Sequence, residues 1–475
     1  MTPPETMSPS DPAGPATVTQ SAPDTFLAPA GHHRAGRWID NWDPEDKTFW
    51  NDGGRRIAQR NLIPSIFAEF LGFAVWASWS IVVPQLAAVG FVLSVDQQFW
   101  LIAVPSLVGA TLRLPYTFAV PLFGGRNWTI VSALLLLLPA SALAFVVSRP
   151  ETTTFPMLLG VAALAGLGGG NFASSMANIS FFYPEKEKGK ALGLNAAGGN
   201  LGTAAVQFAV PLVIVSAAGL QLGRAGLMFI PLIALAAFLA WKFMDNLTTA
   251  KADFRAFGAA VHNRHTWIIS FLYIGTFGSF IGYAGAFPTL LKSQFPEVTI
   301  SIAFAGALVG SLARPLGGII ADRWGGARVT IASFIVMAAA ASSAVMALRE
   351  ASFGLFLGSF LVLFVATGAG NGATYRMIPA IYRTLAGADA SAPEAMVNAR
   401  RQTAAALGVI SAVGAYGGFF VPRALGASVS HTGSIEAALV GFVAFYAVCF
   451  AVTWWCYLRR TVMVSRVPSL AHANV

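Results

Sequence analysis

Arg113 and Arg314, 201 residues apart, sit inside stretches of sequence apolar enough to cross a lipid bilayer. Arg314 precedes Arg323 by nine residues, about 13.5 Å along a helix, and Arg113 precedes Arg126 by 13. Both therefore fall near the middle of the hydrocarbon. A cation at that depth costs at least about 2.5–3.5 kcal/mol, and two at one level in equivalent helices repel each other. Two ion pairs would relieve them, but away from their ends the apolar stretches contain a single acid, Glu69. The other remedy is a small anion held between them. Guanidinium stays charged, is planar and offers forked donors, which suits a small planar oxyanion; lysine lacks that geometry.

Further polar groups lie in the same stretches. Asn171, Asn195 and Asn200 are amides that need partners in an apolar medium; each alone reads as readily as a structural hydrogen bond. Glu69 lies one turn before Phe73 and shares its helix face. Arg376 follows Tyr375. Glu69 and Arg376 are each six or seven residues from the cytoplasmic end expected for their helix, so a pair between them would help close that side. Glu69 is also a group that could carry a proton. The Gly-rich runs GLGGG (166–170), AAGGNLG (196–202) and GAYGG (414–418) let helices approach closely and expose backbone to a ligand. No nucleophile–base or metal-ligand constellation is present. His262 and His265 fall in the central loop, His431 in the last outer loop, and His32 and His33 in the N-terminal tail. Neither enzyme, metal nor cofactor is expected.

The elements that position these groups follow from composition. Of 475 residues, 56% are apolar and 11% charged, and the mean hydropathy is +0.64. About 25% charge is usual for a soluble protein, so a water-soluble enzyme is excluded. Cys449 and Cys456 are seven residues apart on one helix, about 10 Å and too far to bridge. Spanning helices are expected at 62–89, 98–119, 128–147, 155–182, 189–217, 224–244, 267–291, 299–321, 328–348, 352–382, 401–424 and 434–458, each long enough for about 30 Å of hydrocarbon. Residues 1–36 read as a disordered tail. Residues 37–61, with several Trp and Arg, read as an interfacial segment; 245–266 is a central loop and 459–475 a tail. The net charge of +9 is distributed by topology rather than gathered for nucleic acid. Of the 30 Lys and Arg residues, 22 lie on the side of the N-terminus, five on the other side and three inside spans. Both termini are therefore expected in the cytoplasm.

The halves repeat. GATLRLP (109–115) answers GSLARPLGG (310–318), GLGGGNFASS (166–175) answers ATGAGNGATY (366–375), and GKALGLNAAGGNLG (189–202) answers TAAALGVISAVGAYGG (403–418). Two six-helix halves, 62–244 and 267–458, with a substrate held midway between them, are a common design of secondary transporters. GGIIADRWGGARVT (317–330) resembles the G-x-x-x-D-R-x-G-x-R gate loop of the major facilitator superfamily, which implies that Asp322 and Arg323 pair at the cytoplasmic helix ends. The N-half counterpart VPLFGGRNWT (120–129) lacks the Asp. The runs GLGGGNFASSMANISFFYP, GKALGLNAAGGN, AAALGVISAVGAYGGFF, ATLRLPY, ALVGSLARPLGG and TWIISFLYIGTFGSFIGY resemble the nitrate/nitrite porter (NarK/NarU) branch of that superfamily, over about residues 37–460. The resemblance implies a nitrate clamped by Arg113 and Arg314 and stacked between Phe172 and Tyr375. It also implies hydrogen bonds from Tyr273 and Asn200, and a lining of Phe73, Phe277 and Gly408. Tyr375 stands where that branch usually has phenylalanine.

The expectation is thus an all-α integral membrane protein with the major facilitator fold: twelve transmembrane helices in two pseudo-symmetric six-helix bundles. It would move nitrate and nitrite across the cell membrane as a monomer, most simply by antiport, with Glu69-dependent proton symport or another small inorganic anion as alternatives. An anion channel lacks a use for the repeat and the gate loop, and two central arginines disfavour cationic drugs.

Overall fold

The structure, a computed structural model, describes residues 33–34, 36–217, 219–386, 393–460 and 469–471. The expected tail 1–36 falls almost wholly outside the described residues, as does most of 459–475. Twelve helices are long and apolar enough to cross a membrane: α1 Lys47–Val89, α2 Val95–Phe123, α3 Gly125–Val147, α4 Phe155–Phe182, α5 Glu185–Ile214, α6 Arg224–Phe243, α7 Arg264–Gln294, α8 Ile300–Trp324, α9 Gly326–Arg349, α10 Phe353–Leu385, α11 Asn398–Thr432 and α12 Glu436–Leu458. They form two six-helix bundles. We call the side carrying the connection between α6 and α7 the loop face, and the opposite side the far face.

Local chemistry sets the boundaries. Ser94 and Gln97 form a reciprocal capping box that starts α2. Gly124 and Gly325, again 201 residues apart, take φ of 86° and 90° and end α2 and α8 in the same sharp reversal. The first helix begins earlier than the apolar pattern suggests. The Asp46 carboxylate accepts from the backbone N–H of Thr48 at 2.8 Å and Phe49 at 3.3 Å, which caps the start of α1, and α1 then runs on through a kink at Gly53. Most of 37–61 is therefore helix. Two of its three tryptophans are buried in protein: Trp42 packs edge-on against Phe49 and Phe182, and the Trp50 indole donates to Glu187 at 3.2 Å. The central connection also has structure, with a helix at Phe254–His262 and a two-residue strand, Asn246–Leu247, paired to Trp38–Ile39.

Close helix approach within each half uses glycines at neighbouring positions of the repeat. A Cβ on Gly169 of α4 would lie 3.0 Å from the Cα of Gly109 in α2, and one on Gly368 of α10 would overlap the Gly310 carbonyl of α8. These contacts bring α2 onto α4 and α8 onto α10, the pairs that carry Arg113, Phe172, Arg314 and Tyr375. Between the halves, α2 packs on α11 and α5 on α8.

Candidate functional site

Both arginines point inward. Arg113 is fully buried; its Nε donates to the Gly169 carbonyl at 3.2 Å and its Nη1 to the Ser411 carbonyl of α11 at 2.8 Å. Its Nη2 and the Nη1 of Arg314 are buried without a protein partner. Among the described residues no carboxylate lies within ion-pair distance of either guanidinium. The two cations instead share a ring. The Phe172 centroid is 4.5 Å from the Arg113 guanidinium carbon and 5.7 Å from that of Arg314. Arg113 also lies over Phe277 at 5.1 Å, and Arg314 over Tyr375 at 5.7 Å.

Aromatic residues surround this layer. Phe73 meets Phe172 at 6.1 Å, Phe172 stacks on Phe277 at 6.2 Å, and Tyr273 stacks on Phe277 at 5.2 Å and approaches Tyr375 at 6.0 Å. A π-helical turn at Ile274–Gly278 interrupts α7 directly after Tyr273 and contains Phe277; such turns recur at functional sites. The Tyr273 hydroxyl and both amide atoms of Asn200, Asn171 and Asn371 are buried without partners. Buried polar atoms left without partners are unusual in a folded interior, and the Tyr273 hydroxyl, in the same aromatic layer as the two cations, fits a polar guest. On the loop side of this layer lies a cavity of about 190 Å³. Phe172, Tyr375, Gly408 and Ser411 line one end of it, and Lys251, Asp253, Phe257 and Arg401 the other. On the far side the halves are closed: Arg423 of α11 donates to Asp96 of α2 at 2.9 Å and stacks over Trp100 at 4.2 Å.

One expectation about charges needs correcting, and a second concerns a state other than this one. Asp322 does not pair with Arg323; its partner is Arg376 of α10, while Arg323 is exposed and has no ion-pair partner among the described residues. Arg376 is consequently not paired with Glu69 in this state. Glu69 is fully buried, and its Oε2 accepts from Asn195 Nδ2 at 2.6 Å. The same amide nitrogen meets Ser175 Oγ at 2.6 Å, and Ser175 in turn meets Ser65 at 2.9 Å. Helix geometry explains the difference. Arg376, nine residues before the end of α10, lies beside the end of α8, whereas Glu69 faces α5.

Sequence reasoning missed several contributors. The Ser411 carbonyl carries no side-chain signal. The Phe254–His262 helix reaches the cavity through Phe257, which with Phe254 packs on Phe118 at 5.1 and 5.2 Å; an amphipathic helix of nine residues, too short to span, carries no sign in the sequence of what its apolar face covers. Asp245 was also missed. It is wholly buried and accepts from Arg37 at 2.8 Å, Arg60 at 2.7 Å and Asn61 at 2.9 Å. An acid directly after an apolar helix, with arginines near in no sequence sense, gave no hint of this.

Residues 66–392 match the family model of the Major Facilitator Superfamily. The chain is 42% identical to the nitrate/nitrite transporter NarU of Salmonella typhimurium, over 89% of this chain and 96% of that protein. It is 35% identical to the probable nitrate/nitrite antiporter NarK2 of Thermus thermophilus, over 90% of this chain and 97% of that one. Among solved structures, the crystal structure of a D-xylose–proton symporter superposes with a TM-score of 0.63, covering 83% of this chain and 96% of that chain at 16% identity. At that identity the likeness speaks for the fold alone.

Proposed function

The chain belongs to the nitrate/nitrite porter (NarK/NarU) family of the major facilitator superfamily, and on that premise we propose that it exchanges nitrate for nitrite across the cytoplasmic membrane by alternating access. The observation that carries this reading is the pair of buried guanidiniums with open donors, no carboxylate partner and a shared aromatic ring. Nitrate and nitrite are flat, delocalised monoanions. Forked donors from Arg113 and Arg314 match their edges, and the rings of Phe172 and Tyr375 match their faces. Tyr273 and Asn200 supply donors, and Phe73, Phe277 and Gly408 complete the lining. The loop face is the cytoplasmic one, so this state opens inward, and Asp322, Arg323 and Arg376 act in the gate on that side.

Charge explains obligatory exchange. An empty site holds two cations that resist being closed into a dry interior; a monoanion lowers that repulsion and lets the halves move around it. Each crossing then needs an anion. A second reading, proton-coupled entry, is favoured by Glu69, a fully buried carboxyl whose Oε1 has no partner. Protonating it changes the charge of the site layer by one and could stand in for the counter-anion.

Proteoliposomes decide between the two. Under exchange, nitrite-loaded vesicles take up nitrate at least about tenfold faster than empty ones, and a pH gradient adds little. Uptake by empty vesicles that follows an inward proton gradient and disappears in Glu69→Gln would replace antiport by symport. Absence of saturable nitrate uptake in every arm would remove the substrate assignment itself.

A further inference from the structure

Two transmembrane prolines lie beyond the arginine layer, on its far side. Pro288 lies inside α7 and Pro211 inside α5. A proline has no backbone N–H, so the carbonyl one turn earlier loses its helical donor. In α7 that carbonyl belongs to Ala284, and in α5 to Gln207. An unpaired carbonyl is costly at membrane depth and is normally satisfied by a neighbour. Here the neighbour is the side chain of Gln207 itself. Its Nε2 donates to the Ala284 carbonyl at 2.7 Å and to Ser80 Oγ of α1 at 3.0 Å. Gln207 and Ala284 are both buried, and Gln207 Oε1 has no partner.

The bond to Ala284 joins the two halves of the molecule, since α5 and α7 belong to different bundles. The bond to Ser80 stays within one. For the far face to open, α5 and α7 must part, and the first must break. The other cross-half ties on this side, such as Arg423 with Asp96, lie near the surface and are partly exposed. Water can replace them when they separate. Gln207 works in a dry layer where water does not.

We infer that Gln207 is a positioning residue that latches the far face shut, by supplying the α7 carbonyl that Pro288 leaves without a donor. It touches no substrate. It acts by setting how often the site faces each side, and its acceptor exists because α7 carries a proline at position 288. The inference rests on the alternating-access reading but not on which anion is carried.

The test is a double-substitution cycle on the full-length transporter in lipid nanodiscs. Cys449 and Cys456 are replaced by alanine, and spin labels are placed at Val92→Cys and Glu297→Cys, far-face positions in the two halves. Distances are read without substrate. Gln207→Leu should increase the long-distance, far-face-open population about three- to tenfold, the range expected of one net hydrogen bond. In a Pro288→Ala background Ala284 regains its own helical donor, and Gln207→Leu should change the population less than twofold. Gln207→Asn, which cannot reach Ala284 but can stay near Ser80, should behave like Gln207→Leu, while Ser80→Ala should leave the distances unchanged. Half-saturation for nitrate should fall when measured from the far face and rise from the loop face, whereas a merely structural lesion moves both the same way. An equal effect of Gln207→Leu with and without Pro288, or no effect in either, overturns the latch. Should Gln207→Leu not fold, the Gln207→Asn pair of backgrounds gives the same decision.

Discussion

Arg113 and Arg314 are repeat equivalents, yet they are not held alike. Arg113 is anchored by the Gly169 and Ser411 carbonyls and lies within 6 Å of three rings. Arg314 has no hydrogen-bond or ion-pair partner among the described residues, and its guanidinium faces the rings of Phe172 and Tyr375. One jaw of the proposed clamp is therefore fixed and the other free to settle on its guest. Substitution by lysine keeps the charge and removes the fork. A charge-assisted hydrogen bond contributes about 1.5–3 kcal/mol, so Arg314→Lys should weaken nitrate binding about ten- to hundredfold by calorimetry with little change in thermal stability. Arg113→Lys should weaken binding at least as much and also lower the melting temperature, because the Gly169 and Ser411 carbonyls lose a donor. Unchanged affinity in both variants would count against a clamp at this layer.

At the scale of elements, the sequence was most informative where burial demands a periodic signal and least where contacts are polar and distant. Long apolar runs must be helices in a bilayer, so twelve spans were legible and most of their ends fell within a few residues. The exceptions have physical causes. The start of α1 depends on one carboxylate cap at Asp46, and α11 runs on to Thr432, eight residues past the expected end, through the small and polar residues Gly426, Ala427, Ser428 and Ser430, where an apolar pattern stops. The aromatic layer was legible through its motif matches, but which rings stack on which arginine was not, since it depends on rotation about α4 and α7. Partners such as Asp245 with Arg37 and Arg60 are separated by more than 180 residues and leave no local trace. That cluster has a definite job: it ties the segment before α1, α1 itself and the end of α6 into one unit. Asp245→Ala leaves three donors without their acceptor, two of them on partly exposed arginines. A loss of about 1–3 kcal/mol is expected, visible as a lower melting temperature in detergent. Nitrate affinity should stay within twofold, because the cluster lies at the loop-face surface, away from the arginine layer.

At the scale of the whole molecule, the distribution of charge decides what the cavity means. The loop face carries the N-terminal arginines, the lysines at the start of α5 and the basic residues of the central connection, whereas each far-face turn holds few. Insertion retains such basic segments in the cytoplasm; in the orientation we propose, the present state is inward-facing, with a site reached from inside through residues that include Lys251 and Arg401. The same cations would raise the local concentration of an anion waiting to leave or enter, so orientation and substrate charge support one another. Single cysteines test the orientation directly. In intact cells whose transporter lacks Cys449 and Cys456, an impermeant maleimide should label Val92→Cys, which is 97% exposed on the far face. It should reach Ala259→Cys, on the exposed side of the linker helix, only after the cells are opened. The reverse pattern would turn the molecule over. The cavity would then face the outside, the Asp322–Arg376 pair would belong to an external gate, and the Gln207 bond would hold the cytoplasmic side closed instead.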